Sequence, residues 1–364
     1  MDKRVIPAMG RSKEYPKGSC LKGDGGKSKD SSCLLGHQKK IGIKAVCISA
    51  SLQGPVCKED GHGLSEGKAE AQKNIWEMLV PVGDGAMWWD PAFAPLLRRA
   101  GLDSFDAVMN CQTGQRLRRL PDRENWRLEL VHPGGHRVGV YLKKHLPVGS
   151  ESRWRWPNRT GTITPGRWEA ENIHRVCAAG LQAMRVVALG ERIGPDGRHA
   201  SFLMTEELTG FVPLDRFVGR YFSPSAQQQA HQESSGRNRA LDRLTWQVAE
   251  TVQRFHRAGL NHRDLYGCHF FVRQRAEGGY EIRLIDLQRV QHRRWFRRRW
   301  LVKDLAQLAW SIPAEWVGCT QRMRFMKWYL GVEKLRPADK RLIRRVLAKQ
   351  QVLLRRLGPP AEFL

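Results

Sequence analysis

One spacing constrains this chain more than any other. The tetrapeptide His262-Arg263-Asp264-Leu265 follows directly on a long amphipathic stretch, Ala240 to Ala258, and the turn Ala258-Gly259-Leu260. In that stretch Leu241, Leu244, Val248, Val252 and Phe255 recur at helical spacing. Twenty-two positions after Asp264, a second acid, Asp286, ends the apolar run Leu284-Ile285. Between the two lie a short strand at Phe270 to Arg273, a turn at Gly278-Gly279 and a second strand at Glu281 to Ile285. A carboxylate closing an apolar strand is costly unless it has a partner. The pattern is therefore a helix, a polar loop and a hairpin that returns a second acid towards the first.

Upstream, Trp126 to Val131 reads as a strand, His132-Pro133-Gly134-Gly135 as its turn and His136 to His145 as the return strand. Val138, Val140 and Leu142 share one face of it; Gly139, Tyr141 and Lys143 share the other. A short helix is expected over Ala92 to Ala100, after Asp90-Pro91 and ending before Gly101, and another over Trp168 to Ala179, with Gly180 as the stop. Met184 to Leu189 and Phe202 to Met204 read as further strands around the turn Gly194-Pro195-Asp196-Gly197. Helices are also expected near Leu301 to Trp310 and Pro337 to Leu357. The order is a sheet with one helix, then a helical half with an embedded hairpin.

That order carries four chemical signals. A His-Arg-Asp loop puts a carboxylate beside a hydroxyl that attacks a phosphoryl group. Asp286 stands at the Mg²⁺ position of kinase-like enzymes, Lys143 ends Val140-Tyr141-Leu142-Lys143 on the return strand, and Glu169 in the next helix is placed to pair with it. The fold expected is α+β and bilobal, protein-kinase-like: a small antiparallel-sheet N-lobe with one helix and a larger, mainly helical C-lobe. Its boundaries fall at a basic, Gly-rich tail over 1–75, an N-lobe over 76–208 and a C-lobe over 209–364. Pro16 to Ser32 is Lys/Gly/Ser-rich and reads as disordered; Ile41 to Leu52 is a lone strand candidate.

The chain has 62 Lys and Arg against 36 Asp and Glu, a formal charge of +26 that calls for an anionic partner. No run of about 18 apolar residues is present to span a membrane, and no secretory h-region follows Met1. The eight Cys form no C-x-x-C pair, so the expectation is free thiols in a reducing cytoplasm. The segment Arg293-Arg294-Trp295-Phe296-Arg297-Arg298-Arg299-Trp300 interleaves cations and aromatics, a composition suited to phosphate and anionic lipid headgroups and also to nucleic acid.

From about Asp90 to Trp310 the chain resembles the lipopolysaccharide core heptose kinase family, the Kdo/WaaP-type kinases. The resemblance rests on Tyr141-Leu142-Lys143-Lys144-His145, on His262-Arg263-Asp264-Leu265-Tyr266-Gly267-Cys268-His269-Phe270-Phe271, on Leu284-Ile285-Asp286-Leu287-Gln288-Arg289-Val290 and on Lys303-Asp304-Leu305-Ala306-Gln307-Leu308. The Cys268-His269-Phe270 continuation separates it from ordinary protein kinases.

The resemblance implies an ATP-dependent kinase that phosphorylates a heptose or Kdo hydroxyl of a lipopolysaccharide core glycolipid. It would be peripheral at the inner face of the cytoplasmic membrane, with no nucleic acid expected. It makes Asp264 the catalytic carboxylate within His262-Arg263-Asp264, Asp286 the Mg²⁺ ligand and Lys143 the contact to the nucleotide phosphates. Glu169 would orient Lys143, with Glu171 as runner-up because two residues turn a helix by about 200°.

Glu206, Glu207 and Leu208 fall where a hinge contacts adenine through backbone groups. His269 stands where protein kinases place an Asn for a second Mg²⁺, and imidazole is a poor ligand for that ion. Arg293, Arg297, Arg298 and Arg299 are the acceptor-binding candidates. No G-x-G-x-x-G precedes Lys143; the turns at Gly114 or Gly134-Gly135 are the candidates to cover the phosphates. Alternatives are a protein or small-molecule kinase on the same fold, or a non-catalytic basic membrane- or nucleic-acid-binding pseudokinase, against which the intact Lys143, Asp264 and Asp286 count.

Overall fold

The computed structural model describes residues 75–147, 163–195, 198–224, 226, 234–292 and 297–360. The chain divides into two units, Met1–Glu66 and Gly67–Leu364, and every described residue belongs to the second. The expected tail up to residue 74, the strand candidate Ile41 to Leu52, Asp196, Gly197 and Arg293 to Phe296 lie outside the described residues. Ile75, placed in the tail by composition, is buried in the folded body.

The second unit opens with α1 (Ile75–Met78), β1 (Val80–Val82), β2 (Met87–Trp89), α2 (Ala94–Arg99) and α3 (Phe105–Asn110). The meander β3 (Gln115–Leu120), β4 (Arg123–Val131) and β5 (Arg137–His145) follows, then α4 (Pro165–Ala178), β6 (Val186–Ile193) and β7 (His199–Glu206). These strands form one seven-stranded sheet in the order β1-β2-β6-β7-β5-β4-β3. Every neighbouring pair is antiparallel.

The alternation read in β5 sets its two faces. Val140 and Leu142 are buried with Trp126, Leu128, Phe202 and Met204 beneath Phe93, Leu97, Phe105 and Val108 of the first helices. The opposite face, carrying Lys143, turns towards α4. A sheet with one helix is thus an undercount: α2 falls within the helix expected to end at Ala100, while α1 and α3 are too short to show a helical period in the sequence.

Beyond the sheet come β8 (Val212–Pro213), α5 (Leu214–Phe222), α6 (Ser234–Arg257), β9 (Leu260–Asn261), β10 (Phe270–Gln274), β11 (Tyr280–Leu284) and β12 (Gln291–His292). The chain then forms α7 (Arg297–Ser311), α8 (Cys319–Leu330) and α9 (Pro337–Leu357). A second core joins Phe255, Phe270, Leu284, Leu287 and Ala306 with Ile173 and Val176 of α4. Fully burying such aliphatic side chains stabilises by roughly 1.5–3 kcal/mol each. This is the expected protein-kinase-like α+β architecture, an antiparallel-sheet part followed by a mainly helical part.

Candidate active site

Strand pairing explains why the two acids meet. Helix α6 stops at the turn where Gly259, at φ +81°, bonds back to His256 O. A Cβ on Gly259 would lie 2.7 Å from His292 Nε2, so the turn is held close against β12. β9 then pairs with β12, Asn261 opposite Gln291, and β10 pairs with β11, Phe270 opposite Leu284. The loops 262–269 and 285–290 are fastened to each other at both ends, and Asp264 and Asp286 sit on them.

Among the described residues, Arg263 (φ +70°) and Asp286 (φ +53°) are the only non-glycine residues in the left-handed region. Such strain costs of order 1–3 kcal/mol and persists only where the surroundings impose it. Helix α7 imposes it at Arg263. Asp304, fully buried, accepts the N–H of His262 on Oδ2 and of Arg263 on Oδ1, both at 2.8 Å. Gln307 Oε1 accepts Leu265 N–H at 3.3 Å and Ser311 Oγ accepts Gly267 N–H at 2.7 Å. Three side chains on one helix face thus template the loop. Neither Asp304 nor Gln307 has a role legible in the sequence beyond one signal, an acid within the mostly apolar Leu301 to Trp310 stretch.

Lys143 reaches across from β5. Its Nζ lies 2.8 and 2.7 Å from the two oxygens of Glu169 and 3.4 Å from Asp286 Oδ1. Burial works against the ammonium, but the carboxylates of Glu169 and Asp286 outweigh it and raise its pKa. Burial pushes the Asp286 carboxyl up, yet the charges of Lys143, His269 and His262 outweigh that and hold it below the usual carboxylate range. Glu171 points elsewhere, to Arg167 and Arg175 at 3.1 and 2.9 Å. Helix α4 approaches β7 closely because residue 166 is Gly: a Cβ there would stand 2.8 Å from Phe202 O. One turn after Glu169, Asn172 Nδ2 donates to Leu287 O at 2.9 Å and Val290 O at 3.2 Å, fixing the segment behind Asp286.

Asp264 is flanked by cations. Arg289 Nη1 donates to Oδ2 at 2.7 Å, and Lys303 Nζ lies 3.7 Å from Oδ1 while also donating to Arg263 O. His269 Nδ1 bonds Asp264 O at 2.7 Å; the carbonyl can only accept, so the N–H is on Nδ1 and Nε2 faces Asp286 Oδ2 at 3.8 Å. His262 is wholly buried, with Nε2 3.2 Å from Ile285 O and its ring stacked on His269, so it braces the loops. The Arg263 guanidinium stacks over Trp300.

Other expected positions differ. The Glu206 and Glu207 N–H groups are spent on Arg185 O and Gly139 O, and the Glu207 carboxylate is clamped by Arg127 at 2.8 Å, so they are not free hinge donors. Among the described residues Leu208 N–H has no such partner. Arg297 donates to His256 O in the last turn of α6 and so is turned inward, whereas Arg298 and Arg299 are exposed. Arg293 lies outside the described residues.

Neither glycine turn is at the Lys143 end of the sheet. The turn at Gly134-Gly135 lies beyond the far end of β5, eight residues before Lys143 and about 25 Å away. Gly114, at φ +92°, packs against the backbone of Arg127 and Leu128. The turn beside Lys143 is Pro121-Asp122: Leu146 N–H bonds Asp122 O at 3.0 Å, and Arg123 reaches Gln288 Oε1 at 3.0 Å.

Comparison with known proteins gives the same assignment. Residues 134–329 match the profile of the Lipopolysaccharide kinase (Kdo/WaaP) family. The Lipopolysaccharide core heptose(I) kinase WaaP of Pseudomonas aeruginosa is 33% identical over 270 residues, covering 72% of this chain and 91% of the relative. The protein of that name from Escherichia coli K12 is 34% identical over 201 residues, 54% of this chain and 67% of the relative. A solved structure, WaaP in complex with acyl carrier protein, aligns with a TM-score of 0.54 at 28% identity, over 77% of this chain and 98% of its own. The chain belongs to the lipopolysaccharide kinase (Kdo/WaaP) family.

Proposed function

We propose that this kinase transfers the γ-phosphoryl group of ATP to a hydroxyl of the first heptose of a lipopolysaccharide core, with Asp264 as the carboxylate that receives the hydroxyl proton. The observation that carries the residue roles is that Lys143 lies within hydrogen-bonding reach of both Glu169 and Asp286, and that Asp286 sits on a loop fastened to the one bearing Asp264. Lys143, held by Glu169, would grip the nucleotide phosphates; the Pro121-Asp122 turn and Leu208 N–H would border the nucleotide. Transfer is then chiefly positioning and charge stabilisation.

Asp286 fits Mg²⁺, which is commonly held by one or two carboxylates together with substrate phosphates. When bound, the ion offsets negative charge on the phosphates. His269 offers nitrogen, so a second Mg²⁺ is not part of this reading. No helix among the described residues is long and apolar enough to cross a membrane. The exposed Arg298 and Arg299 and the +26 charge favour a peripheral approach to the anionic inner face of the cytoplasmic membrane, where a glycolipid acceptor resides. The expected boundaries at 76–208 and 209–364 make these segments the two lobes around the site.

The related complex with acyl carrier protein suggests such a carrier as a further partner here. An apolar cavity of about 230 Å³, lined by Leu244, Val248, Leu305, Met326 and Val346, suits the acyl chain that a carrier presents.

The test is incubation of the purified chain with Mg²⁺, γ-labelled ATP and lipopolysaccharide cores that differ in one sugar, with mass spectrometry of the product. Label on the first heptose is expected. Label on Kdo alone, or on protein alone, would overturn the acceptor assignment.

A further inference from the structure

We propose that Arg289 is an acceptor-sensing residue: it holds the Asp264 carboxylate until an anionic group beside the acceptor hydroxyl draws the guanidinium away. This rests on the reading of Asp264 as the proton-accepting carboxylate and adds a control on it.

Both oxygens of Asp264 face a cation, and the two cations are not equivalent. Lys303 is anchored beside Oδ1, its Nζ donating to Arg263 O and its side chain only 27% exposed. Arg289 bonds Oδ2 at 2.7 Å from a side chain 53% exposed at the mouth of the site. Its backbone is fixed independently: it ends the turn after Asp286, whose carbonyls at Leu287 and Val290 are held by Asn172. The guanidinium can therefore swing while the loop stays in place.

A guanidinium matches carboxylate or phosphate bidentately, so an acceptor anion competes directly for it. Without such an anion, Arg289 occupies the oxygen that a proton would take and offsets its charge. That matters because, with no acceptor to close the site, water can take the place of the acceptor hydroxyl. Water could then act as nucleophile: its oxygen would bond to Pγ, the bond from Pγ to the β–γ bridging oxygen would break with its electron pair leaving on ADP, and the water proton would pass to Asp264. With Arg289 on Oδ2 that proton transfer is suppressed, and phosphate is kept for the sugar hydroxyl. Arg289 acts through Asp264 and is a positioning residue.

The experiment compares the full chain with Arg289→Gln, Arg289→Lys and Asp264→Asn. Phosphate release from Mg²⁺-ATP is measured without acceptor, and transfer with lipopolysaccharide core carrying unphosphorylated heptose. Arg289→Gln is expected to raise acceptor-independent release on the order of tenfold, the effect of one charged hydrogen bond, while lowering transfer. Arg289→Lys should fall between it and wild type. A merely structural role would lower both activities together. Unchanged or lowered release in Arg289→Gln, at a wild-type melting temperature, overturns the gate. Asp264→Asn should lose both activities; if it keeps transfer, the reading of Asp264 fails and the gate fails with it, an outcome distinct from failure of the gate alone.

Discussion

Asp304→Asn tests how the catalytic loop is held. The native carboxylate gives one oxygen to each of two backbone N–H groups, His262 and Arg263, at 2.8 Å. An amide has one acceptor oxygen, so its NH₂ must face the second donor. One buried N–H is orphaned, at about 1–3 kcal/mol, and an amide donor is repelled beside it, giving a total of about 2–4 kcal/mol. Arg263 is also released from the contact that holds it at φ +70°, so the loop relaxes and Asp264 shifts. A misplacement of about 1 Å costs on the order of a hundredfold in rate. Urea unfolding and single-turnover transfer, measured on the same preparation, check both effects. A loss of stability under about 0.5 kcal/mol with wild-type turnover would refute the claim that α7 shapes this loop.

Four further outcomes follow from the same geometry. Glu169→Gln keeps one acceptor oxygen for Lys143 but removes its buried counter-charge, which costs about 3 kcal/mol of stability, and with Lys143 less firmly held nucleotide affinity by calorimetry should drop. Glu171→Gln should leave it unchanged; equal losses would void the distinction. Arg298→Gln with Arg299→Gln should weaken binding to anionic vesicles by about 1 kcal/mol per charge, with melting unaltered, whereas Arg297→Gln should lower the melting temperature through the lost contact to α6.

Burial lowers the pKa of His145, to well below the usual value, and of His262. Below pH 6.5 the unfolded chain takes up protons that these rings resist, so stability should fall as pH drops from 7 to 5.5, by about 1 kcal/mol for each ring that stays neutral throughout. Flat stability across that window would contradict the buried neutral rings.

The sequence exposed the parts that rest on period and ordered spacing. Alternation along β5 placed Lys143 opposite Val140 and Leu142, and the hairpin between Asp264 and Asp286 is visible in its glycines and β-branched residues. What stayed hidden depends on long-range packing. Glu169 and Glu171 differ by a rotation that only the seating of α4 on β7 decides. Arg297 looks like its exposed neighbours in a run of arginines, and α6 alone turns it inward. Helix α5 carries Leu214, Phe217, Val218 and Phe222 at helical spacing, yet it has only nine residues and Gly219 interrupts them, which blurs the helical signal. The role of Asp304 required seeing which N–H groups its helix meets.

The most direct test of the account is transfer of labelled γ-phosphate from ATP to lipopolysaccharide core by wild type and Asp264→Asn of equal melting temperature. An amide cannot take the hydroxyl proton, so the account expects labelled glycolipid from wild type and a loss of at least about a hundredfold in the variant. Labelled glycolipid formed by the variant at the wild-type rate would contradict it.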